Sequence, residues 1–233
     1  MKVAVLLAGG SGRRMGGPEP KQFIEIAGRT ILEHSIRAFH QNDGIDEIVI
    51  VSHADYIDRV GEIAKPYPKV KHIVQGGKER YDSTLSAINL YKSASSDNGT
   101  TGICLLIHDS VRPLVSQRII SDCLSALEKY NAVDVAIPCT DTIIEVNDEG
   151  HICRIPARAI LRNVQTPQCF TLETIAKAYE VGLKDPNFIT TDDCGVVHRY
   201  LPSEPIYVVT GDTTNIKVTY PEDLILANNI LKG

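Results

Sequence analysis

Between Leu7 and Lys21 the chain reads L-A-G-G-S-G-R-R-M-G-G-P-E-P-K, a run whose residue types suit the binding of an anion. Glycine permits the positive φ angles that turn successive backbone N–H groups into one concavity, so this loop can bring bare N–H groups close to an anion. Arg13, Arg14 and Lys21 add three cations within one loop's reach. That is more than a diphosphate needs, and it suits a triphosphate under attack, where charge builds on the transferred group. Gly10, Gly12 and Gly16 also come near the dinucleotide-binding fingerprint. That motif asks for a helix starting at once and an acid about 20 residues on for the ribose. Pro18 and Pro20 oppose an immediate helix, and the next strand-like run, Glu47 to Val51, ends in Ser52-His53 rather than in an acid.

Two further constellations follow apolar runs. Gly76-Gly77-Lys78-Glu79-Arg80-Tyr81-Asp82-Ser83 is a second glycine turn opening a helix, whose free N–H groups favour an anion or a base carbonyl. Asp82 or Ser83 could equally serve there as a helix cap. His108-Asp109-Ser110-Val111-Arg112-Pro113 puts an acid at the end of the buried run Ile103 to Ile107. A carboxylate in such a place needs a partner. Magnesium held against a triphosphate by Asp109 is one, since Mg²⁺ takes hard oxygen ligands, and an internal pair with Arg112 is another. His108 reads as a structural hydrogen-bonding residue rather than a base.

The elements that must position these residues alternate. Val3 to Leu7, Glu47 to Val51, Val70 to Val74, Ile103 to Ile107, Val133 to Ile137, Cys169 to Leu172 and Ile206 to Thr210 have the apolar, β-branched character of buried strands. Between them, Ile31 to Phe39 with Thr30 as N-cap, Ala54 to Ala64, Asp82 to Tyr91, Ser116 to Lys129 and Glu173 to Leu183 read as helices, and Glu222 to Leu231 after Pro221 closes the chain. Ile216 to Val218 is a short apolar piece. The pattern predicts one α/β domain over residues 1–233, Rossmann-like, with a mostly parallel sheet and helices on both faces. Thr142 to Val146, the turn Asn147-Asp148-Glu149-Gly150 and His151 to Arg154 predict a β-hairpin that leaves the sheet.

Composition narrows the function classes. The 233 residues, 43% hydrophobic and 23% charged, fit a globular protein with a substantial core. A net charge of -5 argues against nucleic acid as a main partner. No run approaches the ~20 apolar residues of a membrane span. Cys104, Cys123, Cys139, Cys153, Cys169 and Cys194 are scattered, with no C-x-x-C pair, and read as reduced thiols of a cytoplasmic protein.

A-G-G-S-G-R-R-M followed by P-K-Q-F resembles the signature of sugar-phosphate nucleotidyltransferases, with spacing similar to the 2-C-methyl-D-erythritol 4-phosphate cytidylyltransferases and their relatives acting on ribitol 5-phosphate. The resemblance runs from Ala8 to Leu224 through six ordered motifs. It implies that a polyol phosphate oxygen attacks the α-phosphorus of CTP, with Mg²⁺ present, and that pyrophosphate leaves. It further implies catalytic roles for Arg14, Lys21 and Lys217. Ala8, Gly9, Gly10, Ser11, Gly12, Arg13, Gly76, Arg80, Ser83 and Asp109 would contact the nucleotide. Asp109 carries the metal, and Asp212 is a candidate second carboxylate. Arg112, Thr142, Arg158, Thr166 and Thr191 would contact the polyol phosphate. The hairpin, within residues 141–158, would be an arm hooking a second subunit, so that Thr142 and Arg158 serve the neighbour's site in a homodimer.

The acceptor stays open between two branches. Ser110-Val111 and Ala157 depart from the usual erythritol-phosphate pattern and lean toward ribitol 5-phosphate, whereas Ser83 and Thr191-Asp192-Asp193 lean back; the erythritol acceptor is kept first. A catalytically weak nucleotide-binding protein or a nucleotide-dependent oxidoreductase are the contrasting classes. The set of cations beside Asp109 argues against the first, and a test with NADPH decides the second.

Overall fold

The computed structural model describes residues 1–10, 19–94 and 102–232, with the side chain of Ala94 set aside. Ser11, Gly12, Arg13 and Arg14 lie outside the described residues. The strands are β1 (Lys2–Ala8), β2 (Glu25–Ile26), β3 (Arg29–Thr30), β4 (Glu47–Ser52), β5 (Val70–Gln75), β6 (Cys104–Asp109), β7 (Ala132–Pro138), β8 (Glu145–Val146), β9 (Ile152–Arg154), β10 (Arg162–Thr171) and β11 (Ile206–Thr210). The helices are α1 (Ile31–His40), α2 (Ile57–Ala64), α3 (Arg80–Ala94), α4 (Gln117–Ala126), α5 (Leu172–Gly182), α6 (Asp193–Tyr200) and α7 (Pro221–Lys232).

Among the described residues seven strands form one sheet in the order β11-β7-β10-β6-β1-β4-β5. Every neighbouring pair is parallel except those of β10, which runs antiparallel to both β7 and β6. The central strands are mostly apolar because both faces are covered. Along β1, Val3 and Val5 point to a core shared with Ile88 of α3, Ile175 of α5 and Val197 of α6. Ala4 and Leu6 point the other way, against Leu32, Ile36 and Phe39 of α1, Val60 of α2 and Ile120 of α4. Helices on both faces of a mostly parallel sheet are therefore as the alternation predicts. Thr30 caps α1 by accepting from the Glu33 N–H, and Ser116 caps α4 by accepting from the Ile119 N–H.

The departures are local. β10 spans ten residues rather than Cys169 to Leu172, and Pro167 is the reason it reads short: proline lacks a ladder donor and is tolerated in a strand at irregularities. The β7–β10 register shifts between Gln165 and Cys169, where that proline sits. Residues 54–64 divide into a 3₁₀ turn, Ala54–Tyr56, and the α-helix α2. Ile216 to Val218 forms no strand; a hydrogen bond from the Val218 N–H to the Val111 carbonyl, 2.9 Å, holds it beside the end of β6. Helix α6 has no counterpart in the sequence reading.

The hairpin forms as β8 and β9, with Glu145 opposite Arg154 and Gly150 in the turn at φ +82°. Ile143, Ile144, Val146, Ile152, Ile155 and Ile160 are all exposed on and beside it.

Candidate active site

Parallel strands end together at their carboxyl edge. Leu7 pairs with Asp109, and Ala8 and Gln75 both pair with Ser52, so the segments leaving β1, β5 and β6 emerge around one crevice. A cavity of about 340 Å³ opens there, in the size range of small-ligand pockets. Ala8, Gly9 and Gly10 line one wall, Lys21 and Gln22 another, and Arg80, Ser83, Asp109 and Lys217 face them. The predicted nucleotide-side residues within the described chain thus meet in one place, with Gly76 directly behind. A Cβ on Gly76 would stand 2.5 Å from Ser83 Oγ and 3.2 Å from Val51 Cγ1, so the close seat of α3 against β4 requires glycine. Asp82 accepts from the Glu79 N–H at 3.0 Å and takes the capping role, leaving buried Ser83 to the cavity wall.

Asp109 is clamped by two cations. Lys217 Nζ stands 2.7 Å from Oδ2 and Arg80 Nε 3.3 Å from Oδ1. Burial alone would raise this carboxyl, but Arg80 and Lys217 outweigh it and hold it well below the usual carboxylate range. The partner it takes within the chain is therefore this pair. Arg112 instead donates to the carbonyls of Asn215 at 2.8 Å and Val164 at 3.4 Å, bracing the turn after β6 against two other segments.

Behind the carboxylate lies a buried relay. The Asp109 N–H donates to Thr166 Oγ1 at 3.1 Å, and that hydroxyl lies 2.9 Å from His108 Nδ1. His108 Nε2 faces the Arg112 carbonyl at 3.0 Å, an acceptor only, so Nε2 carries the proton and Nδ1 accepts from Thr166. Burial lowers the imidazole to about 4, against the opposing pull of the Arg112 carbonyl, which keeps the ring neutral and in this tautomer. His108 is structural, as its sequence context suggests. Thr166 lies 5% exposed behind Asp109, with its hydroxyl engaged by the Asp109 N–H and His108 Nδ1.

Lys21, 8% exposed, donates to the Val218 carbonyl at 2.9 Å, and Gln22 donates to the Ala8 carbonyl at 2.9 Å. The segment bearing Lys217 is itself held by Asn215, whose amide donates to Gln165 Oε1 and to the Thr166 carbonyl at 3.2 and 3.0 Å.

Other predicted residues lie elsewhere. Thr191 lines an adjoining cavity of about 320 Å³ that shares Glu79 and Arg80 with the first. Thr142 and Arg158 are exposed beside the hairpin and line neither cavity; Arg158 donates to the Thr140 carbonyl at 3.1 Å. Asp212, the candidate second metal carboxylate, lies away from Asp109. Its carboxylate accepts from the Thr214 N–H and hydroxyl at 3.0 and 2.9 Å, lies 3.9 Å from Arg118, and follows β11, separated in the sheet from β6 by β7 and β10. Among the described residues no three His, Cys, Asp or Glu side chains are grouped to hold a metal. Asp109 fits Mg²⁺ in the mode where one carboxylate and the substrate's phosphate oxygens share the ion.

Gln22, which lines the cavity, escaped the sequence reading. It stands within P-K-Q-F, so its motif membership was visible; its bond to the Ala8 carbonyl was not.

A model of the 2-C-methyl-D-erythritol 4-phosphate cytidylyltransferase family matches residues 2–233. The bifunctional ribulose 5-phosphate reductase/CDP-ribitol pyrophosphorylase Bcs1 of Haemophilus influenzae is 46% identical over 234 residues, covering 99% of this chain and 48% of that protein. This chain thus spans about half the length of that relative. The 2-C-methyl-D-erythritol 4-phosphate cytidylyltransferase of Thermobifida fusca is 43% identical over 236 residues, covering 99% and 93%. Among solved structures, 4-diphosphocytidyl-2C-methyl-D-erythritol synthase from Anaerococcus prevotii superposes with a TM-score of 0.85 at 31% identity, covering 100% of this chain and 98% of that one.

Proposed function

This chain belongs to the 2-C-methyl-D-erythritol 4-phosphate cytidylyltransferase family, a family of nucleotidyltransferases, and from that premise we propose that it transfers CMP from CTP to 2-C-methyl-D-erythritol 4-phosphate, releasing pyrophosphate. The observation that carries the proposal is the Asp109 carboxylate held between Lys217 and Arg80, opposite Gly9, Gly10 and Lys21 across one cavity.

The acceptor phosphate is already ionised, so its oxygen attacks the α-phosphorus without a general base. The protein's work is alignment and charge neutralisation. Lys21 and Lys217, with Arg14, meet the charge that develops on the α-phosphoryl group and on the leaving pyrophosphate. Arg80 and Ser83 border the nucleoside side. Asp109, together with phosphate oxygens of the nucleotide, would hold Mg²⁺, which would supply neutralisation of the triphosphate charge. Lys217, held 2.7 Å from Asp109 Oδ2, stands beside the place where it would contact the nucleotide.

The hairpin supports assembly as a homodimer. Six isoleucine and valine side chains exposed on and beside one small two-stranded element form an apolar surface of the kind that marks an interface. A partner's Thr142 and Arg158 then complete the acceptor side of each site. Localisation in the cytoplasm is supported by six free cysteines, of which five are buried. Among the described residues no helix is long and apolar enough to cross a membrane.

Similarity to the Haemophilus protein, together with Ser110-Val111 beside Asp109, favours D-ribitol 5-phosphate as the second reading. The deciding test compares both acceptors in pyrophosphate release with CTP and Mg²⁺. A ~10²-fold advantage in kcat/KM, about 2.7 kcal/mol, assigns the acceptor. Absence of release with either one overturns both readings.

A further inference from the structure

The clamp on Asp109 has a second anchor deeper in the protein. Arg80 donates through Nη1 to Asp193 Oδ2 at 2.6 Å, shorter than its 3.3 Å contact with Asp109. Asp193 is completely buried at the first turn of α6. Its other oxygen accepts from the Tyr179 hydroxyl at 2.7 Å, and its backbone N–H donates to Gln168 Oε1 at 3.0 Å. A buried carboxylate with both oxygens engaged and its backbone pinned is costly to build, and among the described residues its cationic partner is Arg80, so its geometry dictates where that guanidinium points. Arg80 in turn is 28% exposed and lines the cavity.

We infer that Asp193 is a positioning residue for the nucleotide site: through Arg80 it keeps the guanidinium from closing fully onto Asp109, leaving that carboxylate and the cavity wall ready for the nucleotide. The inference rests on the proposed use of CTP by this cavity. A guanidinium has five N–H donors in a rigid fork and takes a carboxylate in bidentate fashion when nothing prevents it. With Asp193 in place, one arm of the fork is committed inward and a single donor reaches Asp109. Without that charge, the whole fork is available to Asp109, and Arg80 swings across the wall formed by Ser83 and Lys217.

The test compares wild type, Asp193→Asn and Tyr179→Phe by calorimetric titration with CTP and Mg²⁺, by steady-state kinetics and by thermal melting. Asp193→Asn is expected to raise both the CTP Kd and the KM for CTP by about 10-fold or more, while kcat at saturating CTP falls by less than about 3-fold, since nucleotide at saturation draws Arg80 back from Asp109. Tyr179→Phe keeps the carboxylate charged but loosens it, and is expected to weaken CTP binding by about 2- to 5-fold, a smaller step in the same direction. If Asp193→Asn does not fold, the Tyr179→Phe titration decides. Lower melting temperatures with unchanged CTP affinity would make Asp193 purely structural and overturn the inference. A wild-type protein that binds no CTP would instead overturn the proposed function, and the two failures are therefore distinct.

Discussion

Lys21 Nζ donates to the Val218 carbonyl at 2.9 Å, joining the lysine that follows the glycine loop to the segment that carries Lys217. The two lysines assigned to phosphoryl charge are thus held in one geometry by a bond between a side chain and a backbone roughly two hundred positions away. Replacing Lys21 by methionine keeps the aliphatic stem and removes both the charge and this tie. We expect kcat to fall by about 10² or more, as for loss of one transition-state charge contact. We also expect stability to fall by about 1–3 kcal/mol, because a buried carbonyl loses a donor. Stopped assays of pyrophosphate release and a denaturant titration measure the two effects; wild-type kcat in a folded variant refutes the assignment.

Thr166→Val removes a hydroxyl that both accepts from the Asp109 N–H and donates to His108 Nδ1. The shape is conserved, but two buried groups lose their partner, at about 1–3 kcal/mol each. Asp109 then loses the support of its backbone, and kcat/KM for CTP is expected to fall by about 10-fold. Thr166→Ser keeps the hydroxyl and should retain most of the activity. Equal behaviour of the valine and serine variants in both assays would refute the relay.

Two of the groups that set the response of stability to acid act in opposite senses. His108 is lowered from 6.5 to about 4, chiefly by burial, so the unfolded chain binds the proton first. Its contribution is full above pH 6.5 and is lost as the pH falls from 6.5 toward 4. Asp134 on β7 is raised from 3.8 to about 6, again chiefly by burial, against its hydrogen bonds from Gln168 and the Val135 N–H. Here the folded state binds the proton first, so the contribution is present below pH 3.8 and is lost as the pH rises through 6. Each amounts to about 3 kcal/mol over its full window, and between pH 6 and 4 they offset each other. Asp134→Asn removes one of them. The variant is expected to be more stable than wild type at pH 7.5 and to lose that advantage by pH 4.5, as read from urea midpoints. Parallel stability curves for the two proteins would falsify the assignment to Asp134.

The alternation of buried strands and amphipathic helices was legible because each central strand is apolar on both faces, a requirement imposed by the two helical layers. What hid from the sequence was set by contacts between distant segments. Helix α6 begins at Asp193 in a run with Gly195, a weak helix former; it is fixed by Asp192, which caps it by accepting from the Gly195 N–H, and by Gln168 reaching over from β10. Pro167 concealed half of β10 because the register shift that accommodates it lies in the pairing with β7. The residues of the site were visible as motifs, but their roles were not. Thr166 and Asp212 read as ligand contacts from their motifs and loop positions. Only the fold shows one turned inward beneath Asp109 and the other capping a turn beside Arg118.

The arm yields the prediction that separates assembly from chemistry. Arg158 lies beside the hairpin and lines neither cavity of its own chain, whereas Lys217 lines the cavity that holds Asp109. If Arg158 acts in the neighbouring site, Arg158→Ala and Lys217→Ala damage different subunits of the same site. Each variant alone is expected to be at least about 10²-fold impaired. After mixing and subunit exchange, a dimer containing one of each has one site with both lesions and one with none, so random reassortment returns about a quarter of wild-type activity. Ile155→Asp, placed on the exposed apolar surface beside the hairpin, should give a monomer by analytical ultracentrifugation and abolish that recovery when built into both chains. Mixtures that stay inactive while forming dimers would show that Arg158 serves its own subunit or none. A wild-type protein that sediments as a monomer would remove the arm from the mechanism altogether.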